Sequence, residues 1–111
     1  MTTDTEFIAS AVAVLGAIGS ALDRALDHSD ADADWSLNDG ILTIDCGAGG
    51  KLIVNRHVPN REIWVAARAW GYHYRPRGGT WVDTRSGEAL AATLGRLLRE
   101  QAGLAVDLSE V

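Results

Sequence analysis

Carboxylates dominate the side chains of this sequence that could do chemistry. Asp23, Asp27, Asp30, Asp32 and Asp34 fall within twelve residues, the last three alternating with alanine as Asp-Ala-Asp-Ala-Asp. Hard oxygen ligands at such spacing can converge on a cation, and a cation relieves the repulsion between neighbouring carboxylates. The run begins like an EF-hand loop, which requires Gly at its sixth position and Glu at its twelfth. Counted from Asp30 those positions are Trp35 and Ile41, so no EF-hand is present. What is left is a set of hard oxygen ligands without a built cage, suited to weak, exchangeable binding of a cation. On the residues alone, a solvated acidic loop accounts for them more simply.

Other reactive types are few. His57 and His73 belong on strands separated by a third. Next-but-one strands lie about 9–10 Å apart, too far for one small metal site, so contact with a partner is expected of both. Cys46, the single cysteine, alternates inward and reads as a small buried hydrophobe, neither nucleophile nor persulfide carrier. The glycines at 47, 49 and 50 have neither GxGxxG nor Walker spacing and form a turn. No nucleophile–base pair shows a local signature.

The chain of 111 residues allows one domain, and one cysteine excludes a disulfide framework. Fifteen acidic against ten basic side chains, a formal −5, argue against a general nucleic-acid binder. The charge is uneven. Residues 1–50 hold nine acidic side chains against Arg24 alone, a formal −8, and residues 51–111 carry +3. Such a molecule presents an anionic patch to cations or to a basic partner.

The elements that must position these groups follow from periodicity. Thr3 or Asp4 can cap a first helix, and Ile8, Val12, Leu15, Ile18, Leu22 and Leu26 recur on it at helical spacing. Gly16 and Gly19 inside that helix point to close packing. The uncharged run over 7–22 is shorter than a membrane span, and Asp4 and Glu6 precede it where a secretory signal would be basic, so a soluble cytoplasmic protein is expected. An acidic connection over 28–34 leads into alternation. Asp39-Gly40 marks a hairpin; further strands are predicted over 41–46, 51–56, 62–67, 71–75 and 80–83, with a turn at Arg77-Gly78-Gly79. Ser86 reads as the N-cap of a last helix with Leu90, Leu94, Leu97 and Leu98 inward and Gly103 at its end. The expected fold is α+β, a two-layer sandwich with the N- and C-terminal helices on one face of an antiparallel sheet of five to six strands.

If the helices cover the face carrying Leu52, Val54, Ile63, Val65, Tyr72 and Tyr74, the other face shows Asn55, His57, Trp64 and His73. An indole there is costly to leave wet and suits a docking anchor whose removal would barely harm folding. The alternative is an indole lying flat on its own neighbours.

The segment Asn55-Arg56-His57-Val58-Pro59-Asn60-Arg61-Glu62-Ile63-Trp64-Val65 resembles the frataxin signature, Asn-x-Gln-x-Pro-x-x-Gln/Glu-Ile/Val-Trp-Leu/Ile/Val. Asn38-Asp39-Gly40-Ile41-Leu42-Thr43-Ile44, Gly71-Tyr72-His73-Tyr74 and Trp81-Val82-Asp83-Thr84-Arg85-Ser86-Gly87-Glu88 resemble the bacterial type of that family, in the same order, over about residues 4–105. The resemblance implies a single frataxin-like domain over 1–111 and a role in iron–sulfur cluster assembly. It further implies weak iron binding along an acidic ridge, here Asp23, Asp27, Asp30, Asp32 and Asp34. Docking on the complex of cysteine desulfurase and scaffold protein is implied through Asn55, His57, Trp64 and His73. A monomer that oligomerises with iron also fits the resemblance, with no role for nucleic acid or membrane. Two alternatives are a weak ferroxidase and a generic acidic binding module. The sequence departs from the family at Gly19 and Ser20, where the ridge usually carries acidic residues; at His57, usually Gln; and at Trp70, usually a small residue.

Overall fold

The computed structural model describes residues 3–111 and has two helices and six strands. Helix α1 (Asp4–Asp27) opens with Thr3, whose hydroxyl accepts from the Glu6 N–H at 3.1 Å while the Glu6 carboxylate reaches back, a capping box. Strands β1 (Asp34–Asn38), β2 (Ile41–Asp45), β3 (Lys51–His57), β4 (Glu62–Ala66), β5 (Gly71–Arg77) and β6 (Thr80–Asp83) form one antiparallel meander in chain order. Helix α2 (Leu90–Ala102) follows and ends on Gly103 in the left-handed region, as expected.

The turns set the registers. Asp39 and Gly40 both take positive φ (52° and 78°), the two-residue turn whose twist matches the strands, and pair Asn38 with Ile41. Gly78 and Gly79 do the same between Arg77 and Thr80. Strand β5 runs past Pro76, where the sequence suggested a stop. Beyond Tyr74 the pairing with β4 has ended, and β6 continues the sheet alongside.

The helices pack on one face. Leu42, Ile44, Leu52, Val54, Ile63, Val65 and Tyr74 are buried beneath them, with Tyr72 half-buried at the margin. Phe7 meets Trp81 edge-on at 6.0 Å. Two local expectations are corrected. The inward stripe of α1 is Phe7, Ala11, Val14, Leu15, Ile18, Ala21 and Leu22, whereas Val12 is 55% exposed and Ile8 and Leu26 are only partly covered. A 24-residue helix on a twisted sheet buries the arc its capping and crossing geometry select, not the arc with most branched side chains. And Ser86 does not cap α2. Its hydroxyl donates to Asp83 at 2.9 Å and accepts from the Glu88 N–H, while Gly87, at φ 75°, breaks the chain before the helix begins after Ala89. By length and composition α1 could cross a membrane; in this fold its apolar side lies on the sheet.

The glycines of α1 behave differently. A Cβ at Gly16 would meet open space, so the expected close packing is absent there. A Cβ at Gly19 would come within 2.7 Å of the Trp35 indole, which lies across the helix at that point. A side chain at position 19, such as the acidic residue the resemblance leads one to expect there, would therefore have to displace the ring.

Candidate functional site

Side chains of the candidate site fall on two surfaces. The helix-free sheet face carries Asn55, His57, Trp64 and His73, as alternation predicts. Register sets Asn55 opposite Trp64, Trp64 opposite His73 and His57 opposite Glu62. The three rings form one continuous stack: His57 on Trp64 at 3.7 Å and 7°, Trp64 on His73 at 4.2 Å and 10°. The indole N–H donates to the Glu62 carboxylate at 2.8 Å. Trp64 is therefore half-buried and flat between two imidazoles, the arrangement named above as the alternative to an indole standing free. The indole separates the two histidines, which share no metal-holding geometry.

This face also carries unmet polar groups. Among the described residues, Asn55 Oδ1 and His57 Nδ1 are closed to solvent without a hydrogen-bond partner. Each is a cost to the folded protein that a hydrogen-bonding group from outside, met after side-chain rotation, would remove. Ile41, on the same row and opposite Asn55, is 43% exposed and supplies apolar surface beside them.

The acidic surface runs from the C-terminal half of α1 into β1. Asp23, Asp27, Asp30, Asp32 and Asp34 are all exposed. Two are partly engaged: Asp23 Oδ1 accepts from the Trp35 indole N–H at 2.8 Å, and Asp34 Oδ1 from the Trp35 backbone N–H at 2.8 Å. Among the described residues, no three His, Cys, Asp or Glu side chains are gathered so as to hold a metal ion. One member was missed by sequence. Asp45 pairs directly across from Asp34, placing two like charges where they repel. A two-residue turn at Asp39-Gly40 forces that pairing, so counting outward from the turn would have found it. Asp32 lies beside the following 3-10 turn (Gly47–Gly49), its carbonyl 3.2 Å from where a Gly47 Cβ would be.

The remaining reactive groups are structural. Cys46 is buried, and burial, then the Asp45 charge, pushes its thiol up, away from reactive thiolate. Burial likewise pushes Tyr74 up to about 12. Glu88 accepts from the Thr93 hydroxyl and pairs with Arg96 at 3.0 Å; the hydroxyl first, then the guanidinium, holds its carboxyl below the usual range. Trp70 is 58% exposed with the Arg85 guanidinium 5.6 Å over its ring.

Comparison with known proteins agrees with this architecture. A protein from Ralstonia nicotianae named iron-sulfur cluster assembly protein CyaY is 44% identical over 106 residues, covering 96% of this chain and 94% of that one. Its namesake from Burkholderia mallei is 42% identical over 107 residues, 96% and 98% of the two chains. Among solved structures, a frataxin from Psychromonas ingrahamii superposes with a TM-score of 0.78 at 30% identity, covering 97% and 98%. A trimeric yeast frataxin from Saccharomyces cerevisiae, in a ferrous complex, shares the fold at TM-score 0.75 and 23% identity over 85% and 86%. The family model of the frataxin-like domain matches residues 1–104, and with the fold and these relatives in agreement, the chain belongs to the frataxin family.

Proposed function

We propose that this protein is an iron-binding adaptor of iron–sulfur cluster assembly that acts in the cytoplasm. Iron is its cargo, held weakly and exchangeably by Asp23, Asp27, Asp30, Asp32 and Asp34, with Asp45 joining them opposite Asp34. The ring-stacked face, Asn55, His57, Trp64 and His73, docks on the complex of cysteine desulfurase and scaffold protein. The observation that carries the docking assignment is the flat, helix-free face on which two polar atoms are closed off unpaired beside a half-buried indole. Rigid aromatic surface with unmet hydrogen bonds is the composition of an interface centre. The names of the curated relatives and the ferrous complex of the yeast trimer support the pathway and the cargo.

For the metal, the opposed Asp34 and Asp45 supply the driving force: a cation between them removes a repulsion that the folded chain otherwise carries. Exposed carboxylates without a cage bind by charge more than by geometry, which suits release to an acceptor.

Anaerobic titration with ferrous iron tests the ridge. Replacing Asp23, Asp27, Asp30, Asp32 and Asp34 by Asn is expected to abolish binding while the protein stays folded; unchanged affinity places the iron elsewhere. Oxygen consumption in the same titration reads out the ferroxidase alternative. Capture of purified desulfurase and scaffold, with and without ferrous iron, tests docking. Asn55→Ala that binds as tightly as the parent sinks the assignment of this face.

A further inference from the structure

One row across the open sheet face holds three charges. Asp34 on β1 pairs with Asp45 on β2, and Asp45 pairs with Lys51 on β3. Leu42, Ile44, Leu52 and Val54 turn toward the helices, so alternation sends Asp45 and Lys51 to the opposite side. All three charged side chains are exposed there, and with Ser36 and Thr43 they line one open depression. Side chains directly opposed on neighbouring strands stand about 5 Å apart at their Cβ atoms.

The carboxylates are held and the ammonium is not. Asp34 Oδ1 accepts from the Trp35 N–H at 2.8 Å, and Asp45 Oδ1 from the Gly47 N–H at 2.9 Å. The chain thereby fixes one oxygen of each. Lys51 is the only lysine among ten basic side chains, and it closes none of the ion pairs among the described residues. Its ammonium is a compact point charge on a flexible four-carbon stem, within reach of Asp45 but not locked to it. A charge so placed acts twice. It offsets part of the repulsion between Asp34 and Asp45, and it repels any other cation that approaches them.

We propose that Lys51 is a built-in counter-cation of the acidic ridge, an ammonium that competes with metal for the Asp34–Asp45 pair and so holds the affinity of the ridge down. The inference rests on the assignment of iron to the ridge and adds what limits the strength of binding there. A unit charge several ångströms from a divalent ion in water weakens its binding roughly three- to tenfold. Release is eased for the same reason: as iron leaves, the ammonium swings back and the two carboxylates are not left bare. Any change that neutralises Lys51, acetylation of its amine included, turns the ridge into a tighter binder.

Anaerobic titration of the full chain with ferrous iron at low ionic strength tests this. Lys51→Gln is expected to tighten binding roughly three- to tenfold, and Lys51→Arg, which keeps the charge, by less than about twofold. Arg75→Gln alters the net charge as much as Lys51→Gln but lies three strands from Asp45, and is expected to shift affinity by less than about twofold. Thermal unfolding gives a second readout. Without iron, Lys51→Gln is expected to lower Tm by about 1–3 °C, because the opposed carboxylates lose their counter-charge. Added iron is expected to raise the Tm of that variant by more than that of the parent. Binding that is unchanged or weaker in Lys51→Gln, or tightened equally by Arg75→Gln, overturns the proposal. So does a gain undiminished in about 1 M salt, where the screening length is about 3 Å. Unchanged affinity after replacing Asp23, Asp27, Asp30, Asp32 and Asp34 by Asn refutes the ridge assignment and this proposal with it. Affinity lost in that variant, with none gained in Lys51→Gln, refutes the role of Lys51 alone.

Discussion

Gly16 and Gly19 sit three residues apart in α1, and alanine at the two positions is expected to change stability in opposite directions. Alanine in a helix interior is favoured over glycine by about 1 kcal/mol. At Gly16 the new methyl meets nothing, so Gly16→Ala is expected to stabilise by up to about that amount. At Gly19 the methyl would lie 2.7 and 2.9 Å from two carbons of the Trp35 ring, a contact that must give way. Overpacking of this kind costs about 1–3 kcal/mol, so the net effect is a loss of roughly 0–2 kcal/mol after the helical gain. The two variants should therefore differ by about 1–3 kcal/mol, roughly 4–12 °C in Tm for a domain of this size. Moving the ring also strains the indole hydrogen bond to Asp23, so the cost reaches a ridge carboxylate. Chemical denaturation of the parent, both variants and Trp35→Leu with and without Gly19→Ala completes a double-mutant cycle. With the indole gone, Gly19→Ala is expected to stabilise as Gly16→Ala does. If it stabilises equally with Trp35 in place, the ring does not press on the helix and leaves room for a side chain at position 19.

Four further outcomes are expected. Gly49→Ala should destabilise by more than about 3 kcal/mol, because its Cβ would fall inside the Gln101 backbone carbonyl of α2, which cannot rotate away; a urea midpoint near the parent's refutes this. Trp64→Ala should lose about 1–3 kcal/mol of stability, one stacking contact on each side, whereas His57→Ala should lose only the single contact; thermal unfolding of both gives the ratio. Because the carboxyl of Glu88 is held below its unfolded value, its contribution is present above that unfolded value and is lost as pH falls through the folded one. Glu88→Gln should therefore cost under about 1 kcal/mol at neutral pH, the pair being partly exposed, and nothing in strong acid; equal losses at both would refute it. Tyr74, pushed up to about 12 by burial, stabilises fully below the ordinary phenol value and progressively less as pH rises through 12; Tyr74→Phe, which removes a hydroxyl without a partner, should be neutral or stabilising and should flatten alkaline unfolding.

Local pattern sufficed for much of this protein. Asp39-Gly40 and Gly78-Gly79 specify two-residue turns chemically, and strict alternation along β3, β4 and β5 decides which side chains face the helices. Alternation alone therefore assigns Asn55, His57, Trp64 and His73 to one open face. Gly103 ended α2 for the same reason, since a left-handed cap is a property of one residue. Long-range packing decided the rest. Which arc of α1 is buried depends on how the helix crosses the sheet, and a run apolar all round, from Phe7 to Leu22, carries no record of that. That Ser86 serves Asp83 instead of the helix depends on a turn closed between β6 and α2. The stacking of Trp64 between two imidazoles requires three strands to be in register at once, and the space claimed by Trp35 at Gly19 requires β1 to lie under α1. Alternation gives the side a residue faces; whether its ring stands out, lies flat or displaces a neighbour is fixed only when distant segments compete for the same volume.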